Sequence, residues 1–104
     1  MRLDLFLKAS RLVIRRSVAA EMCRAGAVRI NDVAAKPGRE IKEGDIITLR
    51  RRGELLRARV AALPIGNISK SQAPMLYEIL GVEFYNDREE LLIREESGKD
   101  AGKE

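Results

Sequence analysis

The spacing of apolar residues predicts an α+β fold: two short helices, a small antiparallel sheet, and a helical extension after it. Two observations carry this reading. Apolar side chains recur at three- and four-residue intervals as far as Ala25, and from Val28 onward they alternate. Turn residues (Asn31-Asp32, Lys36-Pro37-Gly38-Arg39, Glu43-Gly44-Asp45 and Arg52-Gly53-Glu54) then divide the alternating part into short strands. The length of 104 residues allows one domain, and an apolar fraction of 45% is enough for a core.

Residues 3–9 form the first predicted helix, with Leu3, Phe6, Leu7 and Ser10 on one side. Asp4 is a first-turn acid or cap that can pair with Lys8 one turn later, and Leu5 lies off the stripe. The second helix runs from Arg16 to Ala25 and stops at Gly26. Val18, Ala19, Met22 and Ala25 gather on its apolar side, Arg16, Ser17, Ala20, Glu21 and Arg24 on the other, with Cys23 at the border. Ser17 is the candidate cap, although Ala20 breaks the capping box. Strands follow at Val28–Ile30, Ile46–Arg51 and Leu55–Leu63. Pro64, Gly66, Asn67 and Ser69 mark a linker. A third helix opens at Ser71 or Pro74, carries Met75, Leu76, Ile79 and Leu80, and ends at Gly81; Val82 to Tyr85 is a strand or a docked extension. The division expected is a folded unit over 1–62, a helical extension over 63–85 and a flexible charged tail over 86–104.

Several chemistries lack their residues. With no histidine there is no Ser-His or Cys-His pair and no imidazole base. One cysteine without histidine cannot build a structural zinc site or an internal disulfide. Cys23 reads as a small core residue, since free cysteine is usually buried. Gly98-Lys99 lacks the spacing of a phosphate-binding loop. The expectation is a protein that is not an enzyme and holds no metal or cofactor. The longest apolar run, Val60 to Ile65, is too short to span a bilayer, and Asp4, Lys8 and Arg11 interrupt any leader-like segment. A cytoplasmic monomer without a membrane partner is expected.

Charge gives the functional direction. Residues 1–60 hold 15 Lys/Arg against 7 Asp/Glu, whereas residues 61–104 carry a net −4. Such asymmetry suits a polyanionic partner for the first part. Arginine outnumbers lysine there, twelve to three, and a guanidinium fork matches phosphate better than an ammonium does. The basic residues include Arg2, Lys8, Arg11, Arg15, Arg16, Arg24, Lys36, Arg39 and the run Arg50-Arg51-Arg52. On the second helix Arg16, Ala20 and Arg24 share a stripe, with the arginines roughly 12 Å apart along the axis. No aromatic residue lies among these arginines to stack bases, and no Asn or Gln on that helix reads base edges. The face suits phosphate and shape, as in folded RNA. The plain alternative is a solvated helix face whose arginine stems cover apolar surface.

The ordered set Met1-Arg2-Leu3-Asp4, Phe6-Leu7-Lys8, Ser10-Arg11-Leu12, Arg15-Arg16-Ser17, Gly26-Ala27-Val28-Arg29-Ile30-Asn31 and Gly44-Asp45-Ile46 resembles an S4 RNA-binding domain over roughly the first 50 residues. The Arg15-Arg16 pair and the start at Arg2-Leu3-Asp4 resemble the small stand-alone bacterial members. These are the RqcP-type proteins of ribosome-associated quality control and their relative, the heat-shock-induced S4 protein. The segment Ser71 to Leu80 resembles the helical end of RqcP-type proteins. The resemblance implies the alpha-L-like S4 fold and binding to the large ribosomal subunit while it still holds peptidyl-tRNA. Members contact rRNA and tRNA near the P site and assist a larger quality-control factor that adds C-terminal tails to the stalled chain. Carried over residue by residue, it places RNA contacts on Arg2, Arg15 and Arg16, with Asp4 at a position that supports them. Lys8, Arg11, Arg24, Lys36 and Arg39 rest on the charge argument alone.

Three departures stand out. Asp32 replaces a frequent glycine after Asn31, Leu5 replaces a frequent lysine, and the acidic tail is longer than in the shortest relatives. The alternatives are a heat-shock-type factor that recycles obstructed large subunits, or a generic binder of structured RNA. A helix-turn-helix DNA binder lacks its base-reading helix here. The chain has no room for the catalytic domain of an S4-bearing modification enzyme.

Overall fold

The computed structural model describes residues 1–84; Tyr85 and the 86–104 tail lie outside the described residues. Two α-helices, α1 (Leu3–Ala9) and α2 (Arg16–Arg24), precede five strands: β1 (Val28–Ile30), β2 (Val33–Ala34), β3 (Ile46–Arg51), β4 (Glu54–Val60) and β5 (Tyr77–Phe84). The strands form one antiparallel sheet in the order β2-β1-β3-β4-β5.

The alternation in the sequence sets the two faces of the sheet. Val28, Ile30, Ile47, Leu49, Leu56 and Val60 point into the core, where Leu3, Phe6, Leu7, Ala19 and Cys23 of the helices meet them. Burying each large apolar side chain contributes about 1.5–3 kcal/mol. The predicted stripe of α1 holds: Leu3, Phe6, Leu7 and Ser10 are all buried. On α2 the buried face is rotated from the expected one. Ala19 and Cys23 are inside, whereas Val18 and Ala25 are exposed. Cys23 is thus a core residue, and burial pushes its thiol up to about 11, with help from the Asp4 charge and against that of Arg24.

Neither helix is capped by its own side chains. Ser17 is the second residue of α2 and makes no cap; Arg15 holds the N-cap position. The start of α1 is satisfied from elsewhere: the amides of Leu3 and Asp4 donate to the carbonyls of Arg39 and Pro37 at 2.8 and 3.1 Å. That fastens the 36–39 loop across the helix start, where orphan amides need acceptors. α2 ends in a Schellman motif, with Gly26 at φ +80° and the amides of Gly26 and Ala27 donating to Cys23 and Met22. The Asn31-Asp32 turn between β1 and β2 is tight, with both residues in the left-handed region at φ 51° and 70°. Asp32 therefore adopts the conformation that favours glycine.

The segment after residue 70 corrects the expected third helix. Ala73–Leu76 make only one 3₁₀ turn, and Tyr77–Phe84 form β5, paired along β4 from Tyr77↔Val60 to Phe84↔Glu54. A register shift next to Arg57 leaves Leu80 outside the pairing. That bulge sets Ile79 and Val82 three positions apart along the chain, opposite Ala58 and Leu56 of β4, which mimics helical spacing although both side chains remain exposed. The β-branched and aromatic content of the segment suits a strand, and β5 satisfies the backbone edge that β4 would otherwise expose. Leu76 is itself part of the core. β4 starts and ends earlier than read from the sequence, at Glu54 and Val60 rather than Leu55 and Leu63.

Candidate RNA-binding surface

Asp4 organises the surface. It lies on the first turn of α1, is only 3% exposed, and does not turn toward Lys8 as expected. Arg2 grips it with two parallel bonds, Nε to Oδ1 at 3.1 Å and Nη2 to Oδ2 at 3.2 Å. Arg16, the first residue of α2, donates Nε to Oδ2 at 3.3 Å. One carboxylate thus joins the start of α1 to the start of α2. The Arg2 and Arg16 side chains are each 49% exposed, so both guanidinium groups reach the surface.

The electrostatics follow from this geometry. Burial pushes the Asp4 carboxyl up, but the hydrogen bonds and positive charges of Arg2 and Arg16 outweigh it and hold the group below the ordinary aspartate range. Asp4 in turn raises Arg2 further, by its hydrogen bond first and its charge second. Two like-charged guanidinium groups can therefore sit side by side with fixed orientation. Arg16 engages Asp4 only through Nε, which leaves its terminal nitrogens for another acceptor.

The 36–39 loop completes this edge. A Cβ on Gly38 would meet Cζ of Arg2 at 3.6 Å, an ordinary van der Waals distance, so the loop passes beside the guanidinium with room for one more methyl group. Sequence reasoning missed Gly38; only the Pro-Gly turn signal marked its position. Lys36 and Arg39 are exposed on the same loop, with Arg39 Nε donating to the Glu40 carbonyl at 3.3 Å. Arg15 is exposed at the start of α2, beside Arg16, and Arg24 is exposed in its last turn. Lys8 and Arg11 belong to a different hollow, lined also by Met1, Leu5, Ala9 and Gly66-Asn67-Ile68.

The basic run 50–52 is split by strand alternation. Arg51 turns inward, donating Nη1 to the Leu12 carbonyl at 2.9 Å and Nη2 to Glu54 at 3.0 Å. It ties the loop after α1 to the sheet. Asn31 and Asp45, both in the S4-like pattern, also prove structural. Asn31 donates Nδ2 to Asp45 at 3.2 Å and accepts from the Ile46 amide at 2.9 Å, while Asp45 accepts from the Lys42 amide. Among the described residues no group of three or more His, Cys, Asp or Glu is placed to hold a metal, and no helix is long and apolar enough to cross a membrane.

Two helices with an arginine-bearing edge, followed by an antiparallel sheet, define an S4 module, and the S4 domain family model matches residues 1–47. The chain is 42% identical over 83 residues to the RQC P-site tRNA stabilizing factor of Listeria innocua, covering 80% of this chain and 89% of that protein. It is 40% identical to the protein of the same name from Bacillus subtilis, covering 80% of this chain and 95% of the relative. The trimeric structure of Vibrio cholerae Heat Shock Protein 15 is similar with a TM-score of 0.72 and 30% identity, over 78% of this chain and 82% of that one. The chain belongs to the family of the RQC P-site tRNA stabilizing factors.

Proposed function

We propose that this protein is a non-catalytic RNA-binding factor of ribosome-associated quality control, acting in the cytoplasm on large ribosomal subunits that retain peptidyl-tRNA. Its RNA contacts are Arg2, Arg15 and Arg16, with Lys36 and Arg39 on the adjoining loop and Lys8, Arg11 and Arg24 at the margins. Asp4 positions the arginines and does not itself touch RNA. The observation that carries this reading is the shared carboxylate. A buried Asp4 holding two half-exposed guanidinium groups is a poor choice for stability alone, since an apolar cluster of the same volume would serve the fold as well. It is well suited to presenting two phosphate-binding forks whose ordering entropy is already spent. The names of the relatives supply the target, tRNA in the P site. A larger quality-control factor on the same subunit would extend the stalled chain, with this protein steadying the tRNA.

Recycling of obstructed subunits is the second reading, favoured by the likeness to Heat Shock Protein 15. The relatives of higher identity favour tRNA stabilisation. A gradient profile of tagged protein tests the proposal. Co-sedimentation with free large subunits is expected, stronger when peptidyl-tRNA is retained, and Arg16→Ala should reduce it by roughly tenfold to hundredfold, the scale of a charge-assisted interface contact. Equal association with small subunits, or binding indifferent to Arg16, would remove the quality-control reading.

A further inference from the structure

The outer face of the sheet carries a second basic feature that the Asp4 cluster does not use. Strand register lines up Arg29, Thr48 and Arg57 in one row across β1, β3 and β4. Strands are spaced about 4.8 Å apart, so the two arginines flank Thr48 with roughly 10 Å between their backbones. With Gly26, Ala27, Asp32, Arg50 and Leu55 they line a shallow hollow.

The centre of the row has an unmet need. Thr48 is 7% exposed, and its Oγ1 is buried without a hydrogen-bond partner. Native proteins rarely leave a buried hydroxyl in that state. Its cross-strand partners Arg29 and Arg57 are cationic, and guanidinium groups cannot accept a hydrogen bond from a hydroxyl. What the hollow lacks is an acceptor that also carries negative charge.

The two ends of the outer face differ. Arg59 faces Glu78 on β5 and is neutralised by an ion pair with it. Arg57 faces Gly81, where no side chain can answer it, and a Cβ at Gly81 would meet nothing within 4 Å. Among the described residues the Arg57 side chain makes no hydrogen bond or ion pair. Arg29 is oriented by donating Nη1 to the Asp32 carbonyl at 3.3 Å. The Asp32 carboxylate at the rim opposes an anion, and it is outnumbered by the arginines.

We propose that Arg29, Thr48 and Arg57 form a second phosphate-binding site on the open face of the sheet, for the sugar-phosphate backbone of RNA. The two guanidinium groups clamp a phosphate from either side, and the Thr48 hydroxyl donates to one of its oxygens. The site is built on the face that the helices leave uncovered, so one protein can hold RNA at the Asp4 cluster and at the sheet together. It stands independently of the first surface.

Amide and arginine Nε resonances of the ¹⁵N-labelled full-length protein, followed during titration, test this. One arm uses a short RNA hairpin and the other inorganic phosphate. The hairpin should shift Thr48, Arg29 and Arg57, and these shifts should vanish in Arg29→Gln/Arg57→Gln. That variant should bind RNA about tenfold more weakly, with a salt slope shallower by about one for each phosphate it no longer neutralises. Thr48→Val should keep or raise the melting temperature, because it removes an unpartnered hydroxyl, while weakening RNA binding about threefold to tenfold. Hairpin shifts confined to Arg2 and Arg16 would overturn the sheet site and leave the first surface standing. Shifts confined to the sheet would support it and overturn the first surface. A response to inorganic phosphate without one to the hairpin would overturn RNA as the ligand, and a Thr48→Val variant that loses stability without losing affinity would overturn the role of the hydroxyl.

Discussion

Arg16 Nε donates to Oδ2 of Asp4 at 3.3 Å, across twelve residues of sequence, on the same oxygen that accepts from Arg2 Nη2. This pairing sets two simple ideas against each other. If the surface worked by net charge alone, Asp4→Asn would strengthen RNA binding, because it removes a negative charge from a basic face. If Asp4 positions the arginines, the same change weakens binding. We expect weakening by about 1–2 kcal/mol, the scale of charge-assisted hydrogen bonds at a half-exposed site. Fluorescence anisotropy with a structured RNA, for the wild type and Asp4→Asn at one salt concentration, decides the sign.

The same carboxylate predicts the acid limb of stability. Its folded value lies below the ordinary aspartate value of about 3.9. The stability it contributes is therefore present above that value and lost as pH falls through the lower, folded one. Urea midpoints of the wild type should drop more steeply below about pH 4 than those of Asp4→Asn, so the gap between the two narrows on acidification. Parallel curves through that range would mean that Asp4 is not coupled to its arginines.

Much of this arrangement is legible in the sequence, for reasons that particular residues show. Leu3, Phe6, Leu7 and Ser10 repeat with helical period and are all buried, and Ile46–Arg51 is a strand with the boundaries its turns set. Resemblance groups Arg2, Asp4 and Arg16, and the fold brings all three within hydrogen-bond distance. Sequence reasoning fails where local signals are ambiguous. The bulge at Leu80 gives a strand the spacing of a helix. Cys23 stands at the border of a short helix, where a rotation of one residue decides burial. The pairing of Asp4 with Lys8 satisfies an i,i+4 rule, but the tertiary bond from Arg16 takes its place. Thr48 looks like an ordinary strand residue, because its neighbours Arg29 and Arg57 come from other strands.

The corrected C-terminal part carries its own test. Leu76 is 5% exposed in the core, and its carbonyl accepts from the Ala61 amide at 2.8 Å, locking the 3₁₀ turn against the end of β4. Leu76→Ala should cost about 2–4 kcal/mol, because it deletes buried methyl groups and leaves a cavity. Amide exchange should show β5 protected through its pairing with β4 in the wild type, with that protection reduced in the variant. A surface-like loss below about 0.5 kcal/mol would show that residues 76–84 do not belong to the folded unit.

Arg11 gives a prediction in which stability and binding move in opposite directions. It occupies the position after the C-cap of α1, with φ 62° and its amide donating to the Lys8 carbonyl at 3.0 Å. Gly26 holds the equivalent place after α2, at φ +80°. Glycine suits the left-handed conformation; a side chain there costs about 1–2 kcal/mol. Arg11→Gly should remove that strain, while the added freedom of glycine in the unfolded chain offsets about 0.4–1 kcal/mol. The net expectation is a gain of up to about 1 kcal/mol in stability. An arginine kept at a strained position points to work done by its charge, and it lies beside Lys8 in the hollow lined by Leu5 and Asn67. RNA or ribosome affinity should therefore fall severalfold in Arg11→Gly even as the denaturation midpoint rises. A variant that is both more stable and unchanged in affinity would remove Arg11 from the binding surface, and with it the reason to extend that surface into the hollow it shares with Lys8.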